Sequence, residues 1–207
     1  MNHGMPYFYR YHVKKTQSLT NGFDPLRNYL HTIEQTCPHD YFFSGPRSSS
    51  LHFKLNFDVK CIESHEISKL ARQAMIDGNT RDAHSIVELF LLQHDNKTVA
   101  VEIPLWLENN EIADYPKIFS SKEPLTGHID ILRVEDGKIW IWDYKPRASY
   151  EKYATTQTYF YALMLSKRTG ISLDHFRCGY FDSAYAFVFK PLETAILRNQ
   201  QLHKFIQ

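Results

Sequence analysis

Residues 127–145 read GHIDILRVEDGKIWIWDYK, and the fold follows from this stretch. Two runs rich in β-branched and aromatic residues flank Asp136-Gly137, the dipeptide that most strongly signals a two-residue hairpin turn. With that turn Glu135 faces Lys138, and the residue numbers of every cross-strand pair sum to 273. Asp130 is then expected directly opposite Asp143, and His128 opposite Lys145. Side chains on a strand alternate with a period of two, so these four residues share one face. Ile139, Trp140, Ile141, Trp142 and Tyr144 make the second strand apolar on both faces, the pattern of a central strand. Charges in a central strand need a compensating reason.

Two carboxylates facing each other across strands stand about 5 Å apart and repel. A shared proton would relieve them, but a divalent cation with hard oxygen ligands holds both ionised at neutral pH. Lys145 adds an ammonium on the same face, able to neutralise part of the charge, orient a water or stabilise a phosphoryl group. The competing structural reading is an ordinary Asp130–Lys145 salt bridge with Asp143 solvated. It predicts no divalent-ion binding.

Upstream, LHFKLNFDV at residues 51–59 alternates apolar and polar residues and is expected to be a half-buried strand. Ser64 is expected to cap a helix with Ile67, Leu70, Ala71 and Ala74 on its core stripe, stopped at Asp77-Gly78. Thr80 is expected to open a second helix, to about Gln93, with Ala83, Ile86, Val87, Phe90 and Leu91 inward. Residues 99–107 read as a strand in which Pro104 favours an edge or a bulge. Downstream, residues 154–169 read as a helix closed by Gly170, followed by a hairpin around Asp182-Ser183. A last amphipathic helix over residues 192–207 would bury Leu192, Ile196, Leu202 and Phe205.

Residues 44–50, SGPRSSS, read as a flexible link, which divides the chain into an accessory segment over residues 1–50 and one domain over residues 51–207. The first 60 residues hold seven Lys or Arg against four acids, and the segment is rich in aromatics. It could grip a nucleic-acid strand by stacking and phosphate contact.

Composition sets the outer bounds. The chain has 207 residues, with 24 basic and 23 acidic residues and 43% hydrophobic content, values of an ordinary globular protein rather than a disordered, collagenous or coiled-coil one. No apolar run approaches the roughly 20 residues of a membrane span, and no secretory signal is seen, so the expected place is the cytoplasm, with no membrane contact. A net charge of +1 leaves polyanion binding to a local patch. With 13 Tyr, 14 Phe and 3 Trp there are aromatics enough for a dense core with some left for stacking. Cys37, Cys61 and Cys178 form neither a disulfide framework nor a four-thiolate cluster, and reduced, buried thiols are expected.

Gly127-His128-Ile129-Asp130, Asp143-Tyr144-Lys145 and Gln157-x-x-x-Tyr161 resemble, in order, the G-x-x-D, D-Y-K and Q-x-x-x-Y signatures of the RecB-like and Cas4-like branch of the PD-(D/E)XK nuclease superfamily. His84 and Glu88 match the histidine, and the glutamate four residues later, of that branch's upstream helix. The resemblance spans about a third of the chain, residues 84–161. It implies an α/β, restriction-endonuclease-like core, a central mixed β-sheet flanked by the His84 and Gln157 helices. It also implies a Mg2+ or Mn2+ ion held by His84, Asp130, Asp143 and the backbone carbonyl of Tyr144, the imidazole tilting preference towards manganese. Lys145 would align or activate the attacking water, making Asp130, Asp143 and Lys145 the catalytic set, while Gln157 and Tyr161 would contact the substrate backbone or the lysine.

The implied chemistry is in-line attack of water on a phosphodiester, leaving a 5′-phosphate and a 3′-hydroxyl, with the metal as Lewis acid and water activator. Glu88 would either fix the imidazole from behind or be a helix-surface charge, and His128 is a further candidate for that supporting role. Glu102 reads as an acidic neighbour or an exposed residue, not as a ligand. Many relatives hold an iron–sulfur cluster on four cysteines; this chain lacks the downstream set and so resembles the cluster-free members. The partner implied is nucleic acid, DNA ahead of RNA. No Walker-type loop is present, so unwinding would come from a helicase or recombination partner. The function implied is a DNA nuclease, exonuclease or structure-selective endonuclease, serving repair, recombination or processing. The alternative is a catalytically silent nuclease-like domain that binds nucleic acid or a protein.

Overall fold

The computed structural model of the chain describes residues 1, 3, 7–77 and 82–191. Seven strands form one sheet: β1 (Arg10–Tyr11), β2 (Lys60–Glu63), β3 (Thr98–Leu107), β4 (Leu125–Glu135), β5 (Lys138–Tyr144), β6 (Phe176–Phe181) and β7 (Tyr185–Phe189), in the spatial order β1-β3-β4-β5-β6-β7-β2. The helices are α1 (Val13–Leu19), α2 (Asp24–Thr36), α3 (Tyr41–Ser44), α4 (Glu66–Asp77), α5 (Ala83–His94), α6 (Tyr115–Phe119) and α7 (Ala154–Thr169), with short 3-10 turns between some of them.

The β4–β5 hairpin forms as its sequence requires. Asp136 and Gly137 take φ of 50° and 65°, the two positive values of a type I′ turn. The pairs run Glu135↔Lys138, Val134↔Ile139, Arg133↔Trp140, Leu132↔Ile141 and Ile131↔Trp142. β5 is central: it pairs antiparallel with β4 and parallel with β6, and parallel neighbours need a crossover, which α7 supplies. α7 runs over the expected residues, and Gly170, at φ 70°, ends it with its N–H on the Ser166 carbonyl.

Helices cover both faces. On one, Leu26, Leu30 and Ile33 of α2 and Tyr159, Phe160 and Met164 of α7 pack with Ile103, Leu105, Ile129 and Ile141. On the other, Ile67 and Ala71 of α4 and Val87 and Leu91 of α5 pack with Val101, Ile131, Trp142 and Phe181. Val101 and Ile103 thus point to opposite faces although two residues apart, as do Ile129 and Ile131. Regular strands would place each pair on one face. The phase breaks at Glu102, whose φ is 53°, and at Asp130, which the pairs Val101↔Ile131 and Ile103↔Ile129 set opposite it.

Several expectations change. Residues 51–59 form no strand: they alternate in burial, with Leu51 and Leu55 inside, but lie along α7. The Leu55 N–H donates to Thr156 Oγ1 at 3.1 Å, and that hydroxyl donates to the Phe53 carbonyl at 2.7 Å. The strand is the next four residues, β2, paired with β7 at the sheet edge. His65, not Ser64, caps α4, its Nδ1 accepting from Ile67 N. Asp82 caps α5 by accepting from His84 N, while Thr80 lies outside the described residues. Pro104 is not on the outermost strand, but β1 covers only Ala100 and Val101 of β3 and leaves Pro104 beyond its end. Cys61 is exposed, whereas Cys37 and Cys178 are buried. The expected last helix, with Leu192, Ile196, Leu202 and Phe205, lies outside the described residues. Among the described residues no helix is long and apolar enough to cross a membrane.

Candidate active site

Where β4 and β5 part, a cavity of about 200 Å³ opens at the end of the sheet. The expected ladder stops one pair short of it: Asp130 and Asp143 are not backbone partners, and the Tyr144 N–H donates instead to Asp130 Oδ2 at 2.8 Å. A carboxylate has taken the place of a ladder acceptor. His128 and Lys145 likewise lie beyond the last β4–β5 pair, with His128 paired to Pro104 on β3 at the other edge of β4.

Asp143, at the end of β5, is buried and held from both sides. Gln157 Nε2 on α7 donates to Oδ1 at 3.1 Å, and Lys145 Nζ lies 2.8 Å from Oδ2. Burial works against the lysine's charge, but Asp143 and Asp130 outweigh it and hold the ammonium above its ordinary range. Gln157 also donates to the Tyr161 hydroxyl at 2.8 Å, one helical turn on. Gly127 lets that ring approach: a Cβ there would collide with Tyr161 and with Ser48 Oγ.

A second acidic pair backs the first. Glu88 of α5 is buried and shares a hydrogen bond with Glu102 of β3, so it is not a helix-surface charge. Burial, then the charge of Glu102, pushes Glu88 up to about 9. Burial, with Asp143 adding to it, pushes Glu102 up to about 7. Asp130 is raised well above the carboxylate range, by burial first and then by Asp143 and Glu88. His84 stands in the first turn of α5, its ring edge-on to Tyr144 at 5.2 Å between centroids, and it lines the cavity.

This donor set fits a hard divalent cation. Four carboxylates meet one ammonium, with the Arg10 guanidinium only partly offsetting Glu88 and Glu102; three of the four are shifted towards the protonated form, and among the described residues one oxygen of Glu88 is buried without a hydrogen-bond partner. A cation with oxygen ligands supplies the charge such a cluster lacks.

Residues 57–205 match the family model of the PD-(D/E)XK nuclease superfamily. The chain belongs to that superfamily. Its members are generally nucleases, which typically use divalent metals such as Mg2+. No curated protein matches the chain. The α/β architecture, a seven-stranded mixed sheet flanked by helices, is that of a restriction-endonuclease-like PD-(D/E)XK fold.

The PD-(D/E)XK cavity gathers most of the residues singled out in the sequence: His84, His128, Asp130, Asp143, Lys145, Gln157 and Tyr161 all line it, with Glu88 behind. Glu102, which its place in the apolar run VAVEIPLWL left as an acidic neighbour or an exposed residue, lines the cavity as an acidic neighbour. The cavity also contains residues the sequence did not single out. Tyr7, Phe42, Arg47 and Ser49 come from before the matched span and form another wall. Arg47 Nη1 donates to the Tyr7 hydroxyl at 2.8 Å, and the Tyr7 ring stacks on His128 at 3.7 Å. No sequence spacing pairs them.

Proposed function

We propose that this chain is a metal-dependent DNA nuclease of the RecB-like and Cas4-like branch, without an iron–sulfur cluster, cutting as an exonuclease or structure-selective endonuclease in cytoplasmic DNA repair, recombination or processing. The observation that carries the reading is the convergence of Asp130, Asp143 and Lys145 with Glu102 and His84 on one cavity, under a helix that holds Asp143 through Gln157. Asp130, Asp143, the Tyr144 carbonyl and His84 would hold Mg2+ or Mn2+, with Glu88 and Glu102 close enough to share its charge. When bound, the metal supplies Lewis-acid polarisation of the scissile phosphate.

The protein's own groups do the rest. Lys145, 2.8 Å from Asp143, would serve as an electrostatic anchor for the attacking water and the phosphoryl oxygens. Gln157 fixes the carboxylate plane of Asp143, and Tyr161 keeps Gln157 in place. Arg47 and Tyr7 stand where a strand would enter, one to meet phosphate and the other to stack. In this reading residues 1–50 are an accessory wall to the domain over residues 51–207, and a helicase or recombination partner delivers opened DNA.

The test is digestion of end-labelled single- and double-stranded DNA, and of RNA, with Mn2+, Mg2+ or EDTA, comparing wild type with Asp143→Asn and Lys145→Ala. Metal-dependent cleavage of DNA, lost in both variants, is expected, and the label pattern gives polarity. Absence of cleavage of every substrate by folded wild type would favour the silent, nucleic-acid- or protein-binding domain.

A further inference from the structure

Behind the Tyr7 wall lies a second cluster of ligating atoms, of different chemistry. His3 is fully buried, and its Nε2 lies 2.8 Å from His39 Nδ1 and 3.9 Å from Cys37 Sγ. One atom from each of these three residues falls within 4.8 Å of the other two. Cys37 ends α2, and Pro38 and His39 turn the chain so that Cys37-x-His39 presents sulfur and nitrogen together. His3 reaches them from the other end of the segment.

We propose that His3, Cys37 and His39 form a zinc site that clasps the N-terminus to the loop after α2. In tetrahedral zinc sites, with bonds of about 2.0 to 2.3 Å, ligand atoms stand about 3.3 to 3.6 Å apart, so shifts below about 1 Å bring these three into place. Thiolate and imidazole select zinc; with no oxygen ligand in the set, magnesium is a poor occupant. The cation is therefore distinct from that of the carboxylate cavity. The fourth position is a water, admitted on the side where His39 is exposed.

The surroundings match a ligand shell. His3 Nδ1 lies 2.9 Å from His128 Nε2, so a metal on Nε2 leaves Nδ1–H to donate to His128, the usual way a ligating imidazole is oriented. Phe42 stacks on the His3 ring at 3.8 Å and fixes its plane. Burial, with the charges of His39, the N-terminus and Arg47, pushes His3 down to about 4 and keeps the ring in the neutral form that binds metal. Burial alone pushes the Cys37 thiol up to about 12; zinc would reverse that by taking the thiolate directly. Arg47 donates to the His3 carbonyl and to the Tyr7 hydroxyl, and Tyr7 stacks on His128, so the clasp positions the wall of the nuclease cavity.

A chain of neutral imidazoles could hold the same atoms without metal, and cobalt separates the two. The full chain, stripped by EDTA dialysis, is titrated with Co2+ and then Zn2+, while bound metal is counted by mass spectrometry. Wild type is expected to retain one zinc per chain at this site and to show thiolate-to-cobalt charge transfer. Cys37→Ser should abolish that band. His39→Ala, a change at an exposed position, should weaken zinc binding at least about a hundredfold with the circular dichroism intact. Asp143→Asn, which removes a ligand of the carboxylate cavity, can lower the total metal count but should leave the thiolate-to-cobalt band unchanged. No charge-transfer band in wild type, or a band that survives Cys37→Ser, overturns the proposal.

Discussion

The hairpin carries a charge cluster at each end, and the two are built on opposite plans. Near the tip, Arg133 is wholly buried, with Nε 2.9 Å from Asp95 and Nη2 3.0 Å from Glu66, while Lys97 bridges Glu66 and Glu135. Three carboxylates there meet two cations. Although burial works against it, hydrogen bonds from Lys97 and Arg133 hold Glu66 below its ordinary range. At the base, Glu88, Glu102, Asp130 and Asp143 meet Lys145 and the weaker pull of Arg10 on the two glutamates, and Glu88, Glu102 and Asp130 are still pushed up. Buried charge alone therefore does not mark a site. What marks it is a shortage of counter-charge on the same strands that elsewhere supply it.

This contrast can be broken by experiment. Asp143→Asn is expected to lower single-turnover DNA cleavage about ten-thousandfold, about 5 kcal/mol, without lowering metal-free stability, because it removes repulsion as well as a ligand. Arg133→Met should cost about 3–5 kcal/mol in urea unfolding, since it strands the buried Asp95 carboxylate while Glu66 keeps Lys97, yet leave the stabilisation given by Mn2+ unchanged. Equal responses of the two variants to Mn2+ would erase the distinction.

Acidity sharpens it further. Glu88 and Glu102 titrate as a pair whose values, about 9 and about 7, stand above the ordinary 4.5. The folded state thus holds protons that the unfolded chain has released. This contribution is complete below about 4.5 and is lost as pH rises through about 7 and then about 9. Without metal the urea midpoint should fall over that window. Mn2+ should restore more stability at its upper end, where no protons compete for the carboxylates. Glu102→Gln should flatten the profile. The smallest effect belongs to the turn: Gly137→Ala, at φ 65°, should cost about 1 kcal/mol by urea unfolding and leave cleavage untouched.

Much of this was readable in advance because it is local. Asp136-Gly137 dictates its turn, the turn dictates five pairs of register, and α7 declares itself by its spacing and by Gly170. Asp130, Asp143 and Lys145 could be placed together on that basis, and the resemblance to the nuclease family added Gln157. Local rules fail where tertiary contacts choose between equal patterns. The alternation of residues 51–59 reports one buried side, but not that a helix rather than a strand covers it. Glu102 reads equally as an acidic neighbour or an exposed residue until its left-handed backbone turns it towards Glu88. The meeting of Asp130 with a backbone N–H, and of His3 with Cys37, depends on distances no spacing encodes.

The strap over α7 has a consequence for how the molecule is made. Leu55 waits for Thr156, 101 residues later, and Lys60 of β2 waits for Val188 of β7. A chain growing from its N-terminus can assemble α2, β3 and the β4–β5 hairpin while residues 51–63 have nothing to settle on. Closing one border of the sheet must therefore wait until β7 has been made, and loop closure over such separations is slow. Until then the outer side of α7 and the free border of β7 are uncovered, so the interval between the making of β7 and the docking of residues 51–63 is when this protein is most open to self-association.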